Sequence, residues 1–368
     1  MPKANETVLE IDLRALNHNF RYLKSKISPE TKILAVVKAF AYGCDAIEIA
    51  RFLQELKVDY LAVAYAHEGI ALRDAGISAP ILVLHPQPIN FKLLIDYCLE
   101  PSLYSSRILK SFIKVAEQEE QDGYPVHIKI NTGLNRLGFW ESDVDHIIDQ
   151  TTNTSSIKVK SIFSHLAASE DLHEKEYTLN QINSFEKTSS ILIDKLGYSA
   201  MRHMTNTSGI LNYPEAHFDM VRTGIGLYGY GNSSIENENL RPIATLKSVI
   251  SQIHMIEKGE TVGYNRAHKS LGFEKTATIP IGHADGISRL YGNEKGFVYI
   301  NDAKAPIIGN VCMDMLMVNI TDIECKEGDE VIIFSEEHRA DTLADNVGTI
   351  SYELLTSVSQ RIKRVFCR

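Results

Sequence analysis

Lys38 stands where an apolar, β-branched run, Ile33 to Val37, stops. Such a run reads as a strand buried on both faces, and a lysine delivered at the carboxyl end of an interior strand is poorly solvated. Burial disfavours the ammonium, so more of the side chain is free amine, the form that builds Schiff bases with carbonyl compounds. An ordinary lysine reaching solvent from a strand end satisfies the same spacing. Other chemistry-bearing residues follow apolar runs in the same way: Arg136 after the run ending at Ile130, His165 after Phe163, Asn206-Thr207-Ser208-Gly209 after Met204, and Arg222-Thr223-Gly224-Ile225-Gly226 last. Taken singly, each has a plainer use, since arginines pair at surfaces, histidines fill cores and a Thr-Ser-Gly group caps a helix. Their common placement joins them. The hydroxyls and backbone N–H groups of Asn206 to Gly209, with those of Gly224 and Ile225, suit a dianionic phosphate.

Strand-like and helix-like stretches alternate through the first two thirds of the chain. Strands are expected at Ile33 to Val37, Tyr60 to Ala64, Ile81 to Leu84, Pro101 to Tyr104, Val126 to Ile130, Val159 to Ser164, Ala200 to Met204 and Phe218 to Arg222. Helical patterns lie between most of them, with Asp12 as N-cap of the first helix and Gly197 closing the one from Glu174 to Leu196. About eight strand–helix units is the number that closes a TIM (β/α)8 barrel, with its working residues at the carboxyl ends of the strands. An open doubly wound sheet fits the pattern too, although no G-x-G-x-x-G follows the first strand. After Leu240 the texture changes to short alternating stretches bounded by Gly, Asn and Asp. Residues 1–240 are therefore expected to form the α/β barrel and 241–368 a mostly β domain, with GNSSIENEN (Gly231 to Asn239) as linker and helices over Thr342 to Asn346 and Thr349 to Val365.

The 368 residues carry a net charge of −9 and no basic run, which argues against a nucleic-acid partner. Five widely spaced cysteines without a C-x-x-C pair give neither a zinc nor a disulfide framework, and no metal site is expected. With no signal-like N-terminus and no apolar run of membrane-spanning length, the expectation is a cytoplasmic protein without a membrane partner.

The string AVVKAFAYG around Lys38 resembles the pyridoxal-phosphate lysine motif of alanine racemases, with Phe40 where that family usually has Asn and Cys44 where it often has His. Other motifs extend the resemblance over nearly the whole chain: GLNRLGF, FSHLA, HMTNTSG, VRTGIGLYG, VGYNRAH, GNVCMDM and TISYELL. The resemblance implies that Lys38 holds pyridoxal 5'-phosphate, that Arg136 bonds its phenolic oxygen near the substrate carboxylate, and that His165 stacks on its ring. It places Arg222 at the pyridine nitrogen, and Tyr42, Asn206, Thr207 or Ser208, Gly224, Ile225 and Tyr352 at the phosphate. It makes Tyr264 the second catalytic base and gives the Met313 backbone N–H, beside Asp314, to the substrate carboxylate. By the same resemblance Lys129 is a candidate for carbamylation, and Tyr264 completes the pocket of a second subunit in a homodimer with shared sites. Two departures bear on function. GHADG puts His283 where the family has a tyrosine of the substrate entryway, and Asn131 replaces an aspartate.

An arginine cannot give up its proton, so Arg222 would leave the ring nitrogen unprotonated, weaken the ring as an electron sink and restrain transamination. The reading that follows is an alanine racemase supplying D-alanine for peptidoglycan. The rivals are a racemase for serine, lysine or a broad range, a pyridoxal-phosphate decarboxylase of basic amino acids, and a non-catalytic cofactor-binding protein.

Overall fold

Parallel strands need crossover connections, and the alternation of apolar runs with amphipathic helices supplies them. In the computed structural model, which describes residues 5–368, eight strands form one parallel sheet. Its order is Met201–His203, Ile157–Phe163, Tyr124–Lys129, Glu100–Leu103, Ile81–Val83, Tyr60–Val63, Lys32–Val36 and Met220–Thr223. These are the eight expected strands, each within two residues of its expected ends. The last strand lies beside the first, with Leu34 facing Arg222 on one side and Tyr60 on the other, so the sheet curls into a barrel. Its seam lies between the seventh and eighth strands. Among the described residues no ladder crosses it; the Asp219 N–H donates to the Arg202 carbonyl at 3.1 Å, and the Arg222 guanidinium reaches His203 and the Met204 carbonyl.

The helices begin and end where local chemistry dictates. Asp12 Oδ1 accepts from the Arg14 and Ala15 N–H groups at 2.7 and 3.2 Å and starts Leu13–Lys24. Gly197, at φ 73°, ends Lys175–Leu196 in the left-handed region that glycine tolerates.

A second, nine-stranded sheet runs Gln252–Ile256, Glu274–Ile279, Leu316–Asn319, Ala303–Ile308, Phe297–Ile300, Glu330–Phe334, Ala244–Val249, Val8–Asp12 and Lys363–Cys367. Three features differ from expectation. Val8–Asp12, ahead of the barrel, is a strand of this β layer, antiparallel to Ala244–Val249. The helix expected over Thr349 to Val365 stops after Ser351–Ser357, and Lys363–Cys367 is instead a strand parallel to Val8–Asp12. There a non-local edge outcompetes a local helical pattern, as β-prone Val365 and Phe366 allow. The expected linker is also ordered: Ser233 caps the short helix Ser234–Asn237, and its Glu236 carboxylate is buried against the barrel. Among the described residues no helix is long and apolar enough to cross a membrane.

Candidate active site

Parallel strands direct all their carboxyl ends to one face, and a cavity of about 580 Å³ opens there. Lys38, Tyr42, Lys129, Arg136, His165, Asn206, Thr207, Arg222, Gly224, Ile225 and Tyr352 line it. Val36, Tyr65, Leu84, His85 and Phe163 line it as well, and the sequence did not mark them out. A hollow of about 800 Å³ at the opposite end is lined by Lys32, Gly123, Met201 and Asp219, none of them a candidate residue.

Lys38 is aimed by an unusual turn. Ala39, Phe40, Ala41 and Tyr42 have φ of 52°, 56°, 52° and 53°, a left-handed turn of four non-glycine residues. Each such residue costs roughly 1–2 kcal/mol relative to the right-handed form, so the surroundings must enforce it. Glu68 accepts from the Ala39 N–H at 2.7 Å while its other oxygen takes the Ala64 and Tyr65 N–H groups. At the far end, Arg364 of the last strand donates to the Gly43 carbonyl through Nε and Nη2, at 3.1 and 2.8 Å. Its remaining donors go to the Val358, Ser359 and Ile362 carbonyls, and the guanidinium lies 5.4 Å from the centre of the Phe40 ring. Gly43 itself, at φ 86°, has no room for a Cβ, which would sit 2.3 Å from the Leu355 carbonyl oxygen.

The cleft is strongly cationic. Burial, then the nearby Arg136 charge, lowers the Lys38 pKa. Lys129 is pushed down to about 8 by burial and by Arg222, Arg136 and Lys38. Arg222 is brought to about 9, chiefly by burial. The Arg136 loop is folded back over the barrel by the pair Asn131 N–H to Phe139 carbonyl and Phe139 N–H to Lys129 carbonyl, each 2.8 Å. Asn131 Oδ1 accepts from the Gly133 and Asn135 N–H groups, a role open equally to the aspartate it replaces. Arg136 has no hydrogen-bond partner among the described residues.

Opposite Lys129 the lining turns to neutral donors. Burial pushes the Tyr352 phenol up to about 12 and the Tyr42 phenol higher, so both keep their protons. Tyr42 stacks on Tyr228 at 4.4 Å between ring centres, and a Cβ on Gly224 would fall 2.3 Å from the Tyr42 hydroxyl. Phenols, amide N–H groups and a residue kept bare for close approach fit a phosphate, and the cations fit the polar rim of a pyridoxal ring. The two candidate hydroxyls separate: Thr207 lines the cleft, whereas Ser208 is buried and donates to Glu236 at 2.9 Å. Asn206 Oδ1 is taken by the Gly209 N–H and Ser169.

Arg222 donates to His203 Nδ1 at 2.8 Å, His165 Nδ1 at 2.9 Å, the Ser164 carbonyl at 2.7 Å and the Met204 carbonyl at 3.1 Å. Since arginine only donates, His165 accepts at Nδ1 and carries its proton on Nε2. Burial and the surrounding cations hold its pKa well below the usual histidine value.

Tyr264 and Met313 are not brought to this cleft within one chain. They are 73% and 60% exposed and line a separate hollow of about 540 Å³ with Gly263, Cys312, Asp314 and Met317. Asp314 accepts from Arg361, and His283 is exposed.

Two family models match the chain. The family model "Alanine racemase, N-terminal domain" matches residues 11–232, and "Alanine racemase, C-terminal domain" matches 243–366. An alanine racemase of Clostridium tetani is 36% identical, with 98% of this chain and 95% of that protein covered. One of Thermodesulfovibrio yellowstonii is 38% identical, covering 97% and 96%. Among solved structures, an alanine racemase of Clostridium difficile is 36% identical with a TM-score of 0.92, covering 100% of this chain and 97% of that one. One from Bartonella henselae, with covalently bound pyridoxal phosphate, is 28% identical with a TM-score of 0.88, covering 99% and 100%. With matching sequence along both halves and a matching fold, this chain belongs to the alanine racemase family.

Proposed function

We propose that this protein interconverts L- and D-alanine with pyridoxal phosphate, the cofactor held at the carboxyl end of the barrel. The observation that carries the reading is the meeting, in one cleft, of a strand-end lysine with a buried arginine in place of a carboxylate. Bound there, pyridoxal phosphate supplies the electron sink that makes an amino-acid α-proton removable. Lys38 holds the group and, through Nζ, exchanges a proton with one face of the α-carbon; burial and the Arg136 charge lower its pKa and so favour the amine. Thr207, Tyr42, Tyr352 and the N–H groups of Gly224 and Ile225 hold the phosphate. Arg136 takes the phenolic oxygen and faces the substrate carboxylate, while His165 packs on the ring. Arg222 donates to the ring nitrogen without surrendering its proton.

The opposite face needs a group that cannot trade places with Lys38. We assign it to Tyr264 of the partner subunit, with Met313 beside it on the substrate carboxylate. Their exposure on a second apolar hollow supports a two-fold dimer with shared sites. We further propose the division of the chain near residue 240 and a cytoplasmic location, where D-alanine would be made for peptidoglycan. Racemisation assays over alanine, serine, lysine and arginine test the substrate. Turnover of alanine at least tenfold above the others is expected; equal turnover of a bulky or basic amino acid would point to a broad-specificity racemase, with His283 the first residue to exchange.

A further inference from the structure

Arg222 is only 5% exposed, yet all four of its acceptors are uncharged. A guanidinium buried without an acid in contact leaves its countercharge to be found elsewhere. Beyond Arg222 the hydrogen bonds continue across the barrel. His203 Nε2 meets Ser161 Oγ at 2.9 Å, Ser161 Oγ meets His127 Nδ1 at 2.5 Å, and His127 Nε2 meets Glu100 Oε2 at 2.6 Å. Each residue sits on its own strand, so the path runs over five adjacent strands, from Met220–Thr223 to Glu100–Leu103. His203, Ser161 and His127 are all 0% exposed.

The arginine at its end sets the direction of the path, given neutral imidazoles and an ionised Glu100. Because Arg222 donates, His203 Nδ1 is a lone pair, and a neutral imidazole then has its one N–H at Nε2. Ser161 therefore accepts from His203 and has a single proton to give, which goes to His127 Nδ1. That leaves His127 its N–H at Nε2, aimed at the carboxylate. With Glu100 ionised and both imidazoles neutral, this assignment alone satisfies all four contacts. The His203 ring is stacked on Phe163, 4.9 Å between centres and 3° from parallel, which keeps it in register. A cation at one end and an anion at the other polarise three neutral dipoles in the same sense, and each bond strengthens the next.

We propose that Glu100 is a positioning residue for Arg222, supplying its remote countercharge and holding its orientation through the relay His127-Ser161-His203. The proposal rests on Arg222 facing the ring nitrogen. Removing the Glu100 charge leaves the guanidinium a stronger acid, so more proton density passes to the ring nitrogen and the restraint on transamination weakens.

Two measurements test it. In the 15N-histidine-labelled chain, with and without pyridoxal phosphate, two-bond 1H–15N correlation should show His127 and His203 as neutral Nε2–H tautomers. An Nδ1–H tautomer at either residue overturns the relay irrespective of activity. In the holoenzyme, Glu100→Gln and Ser161→Ala should each raise the ratio of pyruvate formed to alanine racemised by about tenfold. The double variant should do no more than either single one, because both cut one path. Effects that multiply, or singles that leave the ratio unchanged, overturn the proposal. Arg222→Glu, which puts a carboxylate where a protonated ring nitrogen would be stabilised, separates the two layers in the same assay: if it leaves the ratio unchanged, the ring-nitrogen assignment fails and this proposal with it. If Arg222→Glu alone shifts the ratio, only the relay fails.

Discussion

Lys129 carries the sharpest quantitative expectation. Its pKa falls from 10.5 to about 8 under burial and three neighbouring cations. At pH 7 the uncharged fraction then rises from roughly 0.03% to roughly 10%, about 300-fold. An uncharged lysine amine adds carbon dioxide to give a carbamate, which replaces a cation beside Arg136 with an anion that accepts its N–H groups. Arg136, without a partner among the described residues, is where such an acceptor is missing. The sign with pH follows. The unfolded chain holds the Lys129 proton up to about 10.5 and the folded chain only to about 8, so keeping the cation costs the fold up to about 3 kcal/mol below pH 8. That cost declines as pH rises from about 8 to about 10.5. Carbamylation removes it outright. With 13C-bicarbonate at pH 8, a carbamate carbonyl resonance should appear in the unmutated protein and be absent in Lys129→Gln. Bicarbonate should raise the melting temperature of the former alone. If the resonance is missing, or if it survives in Lys129→Gln, Arg136 is not held this way.

Tyr264→Phe should abolish racemisation in both directions while borohydride reduction still fixes a pyridoxyl group on Lys38; mixing it with Lys38→Ala protein should restore some activity through hybrid dimers. An active monomer, or unmutated rates in Tyr264→Phe, refutes the shared site. Thr207→Val should weaken pyridoxal phosphate retention about tenfold, as loss of one charge-assisted hydrogen bond does, whereas Ser208→Ala should act mainly on stability, since its hydroxyl serves Glu236; equilibrium dialysis and thermal melts distinguish them. Arg364→Lys keeps the charge and loses the forked contact to Gly43, so amide exchange over 39–45 should quicken and borohydride trapping at Lys38 should slow. Unchanged exchange there means that the turn holds itself.

The barrel strands were legible because a parallel sheet covered on both faces is written in unbroken apolar runs, as in Ile33 to Val37. Polar residues just past those runs reach the same face, which is why Lys38, Arg136, His165 and Arg222 could be grouped before their geometry was known. What could not be read depends on distant partners. Val8–Asp12 looks like a lead-in to a helix until Ala244–Val249 and Lys363–Cys367 lie beside it. Glu236 reads as a linker residue until Ser208, Asn212 and Asn232 surround it. No local propensity foretells four left-handed residues after Lys38, because Glu68 and Arg364 impose them. The relay did leave a signal: His127, Ser161 and His203 are polar side chains fully buried in barrel strands, where each must find a partner.

The clasp between Arg364 and Gly43 spans 321 positions. Closing a loop of that length costs about 5 kcal/mol of chain entropy, whereas Glu68, part of the barrel, grips the other end of the turn at Ala39. A growing chain can lay down every barrel strand, through Thr223, well before residue 364 exists. Until then only the Glu68 contact at Ala39 holds the left-handed turn, and the second grip, at Gly43, is missing. The same late segment brings Tyr352, so the proposed anchor Lys38 and a proposed phosphate ligand are completed together. With those assignments, firm retention of pyridoxal phosphate depends on the far end of the chain, and a product truncated before Tyr352 should hold it more weakly.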